Sequence, residues 1–282
     1  MGIGYFDLSG ACRLSAPGLF IERLRSEEPP LSPAKHPGVR KFTAGPATGI
    51  TARSVLGVRP VMRHRVLRAM LSYPKRKWHQ TELAEETHTN VSSHVHRVVS
   101  FLEREHYADH EGRGPRKVIF LTRPGDLLND WAVHWRDTWN MVWRSAGRYL
   151  SLAANADVTR QAAEDAGRDL SGTVGFTLAS GAEYYGSSLR DDVVCAYYRG
   201  NASRLAQECG FEEVDRGANV ILLPARDDGI FYLPEQTRQR LETRQSAAAG
   251  PVCAVQLYLD MRVAGGRYAE QAEVLRQREI GY

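Results

Sequence analysis

Asn90, Ser92, Ser93, His94, His96 and Arg97 crowd into one short stretch, interrupted only by Val91 and Val95. Their side chains are short or planar and rich in hydrogen-bond donors and acceptors. An Arg can pair with guanine through two donors, an Asn with adenine, and Ser or His can donate or accept. Such a set suits contact with base edges, provided a helix carries it into a major groove. A second set is cationic: Lys75, Arg76 and Lys77 precede the stretch, and Arg113, Arg116 and Lys117 follow it. Cations placed this way grip phosphates, giving affinity without sequence choice. Trp78 and Gln80, beside the first cationic run, are expected against the same sugar–phosphate backbone.

Other chemistry is poorly served. His94, His96 and His106 have no Cys or carboxylate at metal-ligand spacing, so no metal is expected. The chain has no Walker-type loop, Gly-x-Ser-x-Gly elbow or dinucleotide glycine fingerprint, so neither cofactor nor catalysis is expected. Tyr185-Gly186-Ser187-Ser188 followed by Asp191-Asp192-Val193 is the nearest enzymatic pattern. In nucleotidyltransferases a Gly-Ser loop holds a triphosphate and two carboxylates hold Mg²⁺. Here the acids are adjacent, and a strand would point them to opposite faces. Asp7 and Glu22 are set as in a metal-dependent nuclease, but Glu22-Arg23-Leu24 stands where a Glu-x-Lys is needed. A nucleotidyltransferase-like enzyme using Ser187 and Asp191 or Asp192 is therefore the alternative from another class. A plasmid or mobile-element protein acting at a replication or transfer origin is a second alternative.

The elements that would position the polar stretch can be read from periodicity. Val61, Met62, Val66, Leu67, Met70 and Leu71 follow a helical period, which Pro74 ends. Residues 81–86 form a short second helix, capped by Gln80 or Thr81, and Thr87-His88-Thr89-Asn90 breaks it. A third helix is expected over Ser92–Glu105, with Val95, Val98, Val99 and Leu102 inward. Residues 107–110 and 117–122 then make a hairpin with a glycine-rich basic tip. This order reads as a winged helix-turn-helix over residues 58–124.

Around that unit, residues 1–57 read as a short β-hairpin segment followed by a linker or arm over Ser26–Gly57. Residues 125–143 read as a connecting helix, and the spacing of Trp131, Trp135 and Trp139 marks a packed face, either a joint or a dimer surface. Residues 144–282 read as a mixed α/β C-terminal domain, so the fold class is α+β. There a helix is expected over Gly172–Gly186 and strands over Val193–Tyr198, Val220–Pro224 and Phe231–Leu233. Ala202–Cys209, Val255–Met261 and Tyr268–Ile280 are expected helices, and Ser246–Gly250 a loop.

Charge is distributed to match. The chain of 282 residues carries a net +4. From Arg59 to Arg123, thirteen basic residues face seven acidic ones, which leaves +6 in this segment and −2 elsewhere. No apolar run approaches the roughly 20 residues of a membrane helix, and no signal peptide is visible. The four cysteines stand far apart. The expectation is a cytoplasmic protein with reduced thiols and no membrane contact.

Two groups of motifs carry a family resemblance. One runs through Arg65–Leu71, Trp78, Glu82–Glu86, Val95–Val99, Leu102–Arg104 and Asp126–Ala132. The other comprises Leu178–Tyr185, Val220–Pro224, Val255–Met261, Arg267 and Ala272–Leu275. Together they resemble the AbiEi-like antitoxin and transcriptional-regulator family of type IV toxin–antitoxin systems. The resemblance implies a bacterial repressor that binds inverted repeats of double-stranded DNA in its own promoter, as a homodimer on DNA. It also implies functional pairing with a nucleotidyltransferase-type toxin, without a stable complex. Two features depart from the family pattern: Thr87–Asn90 has no Gly at the turn, and His94 and His96 replace small polar residues.

Overall fold

The computed structural model describes residues 5–6, 12–16, 19–23, 50–58, 61–170, 173–242 and 249–282. Strands β1 (Tyr5–Phe6), β2 (Cys12–Ala16) and β3 (Leu19–Arg23) form an antiparallel meander in a unit of their own. The described residues from Ile50 onward belong to a second unit.

The end of the expected linker is corrected, because α1 (Ala52–Leu56) lies within it. Thr51 Oγ1 accepts from Ser54 N at 3.2 Å and Ser54 Oγ accepts from Thr51 N at 2.8 Å, a reciprocal cap that starts the turn. Val55 and Leu56 are buried. So short a helix owes its stability to tertiary packing and leaves little periodicity in the sequence.

Helix α2 (Met62–Ser72) buries Val66, Leu67, Met70 and Leu71. Helix α3 (Gln80–Thr87) starts one residue earlier than expected and is capped by His79, whose N–H donates to Glu82 Oε2 at 3.4 Å. It ends on His88, which lies in the left-handed region at φ 49°. The third helix does not begin as a regular α-helix at Ser92. Val91–Val95 forms a π turn, with Val95 N–H donating to Asn90 O at 3.2 Å, and α4 (His96–Arg104) continues it. Val98, Val99, Phe101 and Leu102 anchor α4 in the core. Strands β4 (Ala108–Glu111) and β5 (Val118–Leu121) pair antiparallel. Trp78 and Ile119 exchange backbone hydrogen bonds of 2.8 and 2.9 Å, which fastens the hairpin beside the entry to α3. Helix α5 (Pro124–Arg144) buries Trp131, Trp135 and Trp139.

The remainder is a mixed sheet with helices, so the fold is α+β. Its elements are β6 (Gly147–Leu150), α6 (Ala156–Asp169), β7 (Thr173–Phe176), α7 (Leu178–Ala182), β8 (Val194–Arg199), α8 (Ala202–Glu208), β9 (Glu212–Glu213) and β10 (Val220–Pro224). They continue with α9 (Glu235–Glu242), β11 (Ala249–Pro251), α10 (Ala254–Ala264) and α11 (Gly266–Leu275). The strand order is β11-β7-β8-β10-β6-β9, with β8–β10 and β7–β11 parallel and the other pairs antiparallel. Alternation along the central strands serves two cores. Val194, Ala196, Tyr198, Val220 and Leu222 join a cluster that includes residues of α6 and α8, while Cys195, Tyr197, Ile221 and Leu223 join the core that includes α2, α4, α5 and α10.

Three expectations for this part are corrected. Thr173–Phe176 is a strand, because β-forming residues gain backbone partners on β8 that outweigh the local helical reading. Phe231 ends a 3₁₀ turn (Asp228–Phe231) instead of starting a strand; the Asp227 carboxylate accepts from Gly229 N–H and pins the turn. Of the loop expected over Ser246–Gly250, residues 249–250 lie in β11 and residues 246–248 lie outside the described residues.

A buried polar network joins α2 to the sheet layer. Arg68, 1% exposed, donates from Nε and Nη2 to Gln256 Oε1 at 2.9 and 2.6 Å. Gln256 Nε2 in turn donates to Asp260 Oδ1 at 2.8 Å. Trp135 Nε1, Thr177 Oγ1 and the Tyr197 hydroxyl also donate to Asp260, at 2.8, 2.7 and 3.1 Å. Burial raises the pKa of Asp260 to about 6 despite these donors. The guanidinium of Arg68 lies 5.8 and 5.9 Å from the ring centres of Trp131 and Trp135, so the tryptophan face is the joint.

Candidate functional site

The α3–turn–α4 segment presents the polar stretch to solvent. Ser92, Ser93, His96 and Arg97 are exposed, and His94 is partly buried. Val95, between them, is fully buried. The inward valines fix the helix and leave the intervening residues outside.

Asn90 is exposed but occupied. Its Oδ1 accepts from Ser92 N at 3.0 Å, Ser93 N at 3.1 Å and Ser92 Oγ at 2.8 Å. It caps the π turn, so its amide NH₂ alone is available to a base. For the expected pairing of Asn90 with adenine, the oxygen is thus already engaged.

His94 lies among cations. Burial, then Arg63, Arg97 and Arg65, lower its pKa below the ordinary histidine value. Its imidazole is therefore neutral at pH 7 and can accept as well as donate. Arg63 and Arg65 were not among the expected site residues. Their helical spacing in α2 gave no sign that they would lie beside α4. Arg63 is 8% exposed and donates to the Ser54 carbonyl, tying α1 to α2.

The flanking cations fall into two groups. Lys75, Arg113 and Arg116 are exposed, and among the described residues none has a carboxylate at ion-pair distance. The same holds for Arg97. Arg76 pairs with Glu82 and its guanidinium lies 3.8 Å from the centre of a Trp78 ring. Lys77 pairs with Glu111 at 2.7 Å, and Lys117 with Glu103 at 2.7 Å. These pairs are partly exposed and worth little to the fold, but each holds its cation against a carboxylate. The hairpin tip that holds Arg113 and Arg116 depends on Gly112, at φ +77°, where a Cβ would lie 2.6 Å from the Arg116 carbonyl oxygen.

Gln80 is partly buried. Trp78 does not fit its expected role. It is 1% exposed, held inside by its bridge to Ile119, so it cannot lie against a nucleic-acid backbone. Its contribution is to seat Arg76.

Two of the three residues of the enzymatic alternative have partners of their own. Ser187 Oγ donates to Gln271 Oε1 at 3.1 Å. Asp191 Oδ2 accepts from Arg267 Nη2 at 2.8 Å and from the Tyr268 hydroxyl, while Asp192 is exposed. Among the described residues no group of three His, Cys, Asp or Glu side chains is placed to hold a metal ion. Asp7 lies outside the described residues. Cys195 and Cys253 are buried free thiols, and Cys209 is a partly buried one. Among the described residues no helix is long and apolar enough to cross a membrane. No family model, curated protein or solved structure matches the chain.

Proposed function

We propose that the chain is a sequence-specific double-stranded DNA-binding protein whose reading unit is a winged helix-turn-helix formed by α2, α3, α4 and the β4–β5 hairpin. The observation that carries this reading is the two-sidedness of residues 90–104. Val95, Val98, Val99, Phe101 and Leu102 are buried, while Ser92, Ser93, His96 and Arg97 form an exposed front. Lys75, Arg113 and Arg116, exposed and without an ion pair among the described residues, precede and follow that front along the chain. A helix anchored by its back, polar at its front and bracketed by free cations has what major-groove readout with phosphate clamping requires. The resemblance to the AbiEi-like family adds the biological role: transcriptional autorepression on inverted repeats, with a nucleotidyltransferase-type toxin as functional counterpart.

The reading is tested by a gel shift against the DNA upstream of the chain's own gene, with scrambled duplex as competitor. Arg97→Ala should relax sequence preference, at a cost of about 1–3 kcal/mol for the preferred site. Equal affinity of wild type and variant for both duplexes would remove Arg97 from base readout.

A further inference from the structure

A cleft of about 660 Å³ opens between the C-terminal end of α3 and residues 228–238. Its volume is in the range of small-molecule sites. Phe231, Tyr232 and Leu233 line it together with the carboxylates of Glu85, Glu86 and Asp228. Arg65 and Arg238 also reach it, but each guanidinium already holds a carboxylate. Arg65 Nε lies 2.7 Å from Asp227 Oδ1, and Arg238 Nη1 lies 3.3 Å from Glu235 Oε2. Asp228 pairs with Arg199 at 2.8 Å, and Glu86 accepts from the Tyr232 hydroxyl at 2.8 Å. The lining itself thus carries three acids and two guanidinium groups, and the cleft is net negative.

Charge alone would suit a bare metal ion as well as an organic cation. Among the described residues no three potential ligands converge on a point. The negative charge is spread along walls beside aromatic rings. An organic cation fits this arrangement, its apolar body on Phe231 and Tyr232 and its ammonium among the carboxylates.

The rim of the cleft adjoins the turn before α4. His88, the left-handed C-cap of α3 at φ 49°, lines it. Thr87 and His88, both at the cleft, lead directly into the Asn90 cap that starts the reading helix. An occupant would therefore touch the turn that sets the helix.

We propose that this cleft binds a small organic amine with an apolar body, and that its occupancy changes the affinity of the reading helix for DNA. The first half stands on the cleft alone. The second rests on the DNA-binding reading above.

The test uses the full chain and two probes with the same ring system and opposite charge, tryptamine and indole-3-acetate, with MgCl₂ as a third. In titration calorimetry tryptamine should bind saturably. Indole-3-acetate should bind at least about tenfold more weakly, and Mg²⁺ should give no saturable heat. The double variant Glu85→Gln/Asp228→Asn alters exposed side chains; its thermal melt should match wild type and its tryptamine affinity should fall about tenfold. Absence of saturable tryptamine binding, equal binding of the two indoles, or an unchanged affinity in the variant overturns the assignment. In fluorescence anisotropy with the upstream duplex, saturating tryptamine should shift the DNA Kd of wild type and not that of the variant. An unmoved Kd overturns the regulatory half. A chain that binds tryptamine but no duplex leaves the cleft assigned and overturns the DNA-binding reading.

Discussion

If the chain binds duplex DNA as proposed, the ion pairs around residues 75–117 set a salt dependence that can be worked out in advance. Lys75, Arg113 and Arg116 are exposed with no carboxylate at ion-pair distance among the described residues, whereas Arg76, Lys77 and Lys117 are each paired. If each of the three unpaired cations neutralises one phosphate, the slope of log Kobs against log salt is about −2.7 per chain, from about −0.9 per contact. Raising salt fourfold, from roughly 50 to 200 mM, should then weaken binding about 40-fold. The Arg113→Ala/Arg116→Ala variant keeps the hairpin backbone and Gly112 but loses two of these cations. Its slope should shrink to about −0.9, with a loss of only about 3.5-fold over the same range. Lys77→Ala and Lys117→Ala each remove a cation already neutralised by Glu111 or Glu103, and their slopes should stay within a few tenths of wild type. Fluorescence anisotropy on a labelled duplex gives the slopes. A double variant with the wild-type slope would mean that the hairpin tip does not meet phosphate. A larger change for the paired lysines than for the tip would refute the use of intramolecular pairing to rank the contacts.

The interior gives further expectations. Asp260 has its carboxyl raised from 3.8 to about 6 by burial, so the folded chain binds more protons than the unfolded chain between those values. Its contribution to stability is fullest below about 3.8 and falls as pH rises through about 6, by about 3 kcal/mol in all. Asp260→Asn keeps the shape and removes the proton, so urea melts at pH 4, 5, 6 and 7 should show that much less decline across this window; parallel curves for the two proteins would mean Asp260 titrates normally. Arg68→Ala deletes the cation between Trp131 and Trp135 and leaves Gln256 Oε1 without its donor. It should cost about 3 kcal/mol or more in urea unfolding, and a loss below about 1 kcal/mol would show that the joint is not held this way. His88→Gly relieves the left-handed strain and should raise stability by about 1 kcal/mol in the same assay; a drop in stability would contradict the assignment of strain to that turn.

The parts legible in the sequence are those whose residues lie close together along it. Val66, Leu67, Met70 and Leu71 repeat with a helical period, and Val95, Val98, Val99 and Leu102 do the same. Both helices stand where that period places them, because each buries its stripe. The failures share a physical origin. Trp78 sits between cations and polar residues and reads as exposed, yet it is buried by a bridge to Ile119 on a distant strand. Thr173–Phe176 reads as helix until β8 supplies partners twenty or more residues later. The cleft was illegible altogether, since Glu85 and Glu86 meet Phe231 and Tyr232 only after the chain has built five strands of the sheet between them.

Asn90 shows why a residue type alone under-determines a site. The same carboxamide that can pair with a base can also close a helix terminus, and the local backbone decides between the two. Ser92 and Ser93 place two N–H groups within 3.1 Å of its oxygen, and no base edge can displace them without unwinding the turn. The cap shifts the start of the helix into a π turn, and that turn leaves Ser92, Ser93, His96 and Arg97 exposed around buried Val95. On the DNA-binding reading proposed above, base readout on this face would fall to Ser93, His96 and Arg97, oriented by a residue that itself reads little. Asn90→Ser, which keeps a neutral oxygen acceptor, should preserve DNA affinity better than Asn90→Ala, which loses about 1 kcal/mol of helix capping. Equal and large losses in both would mean that the amide N–H of Asn90 touches the base after all.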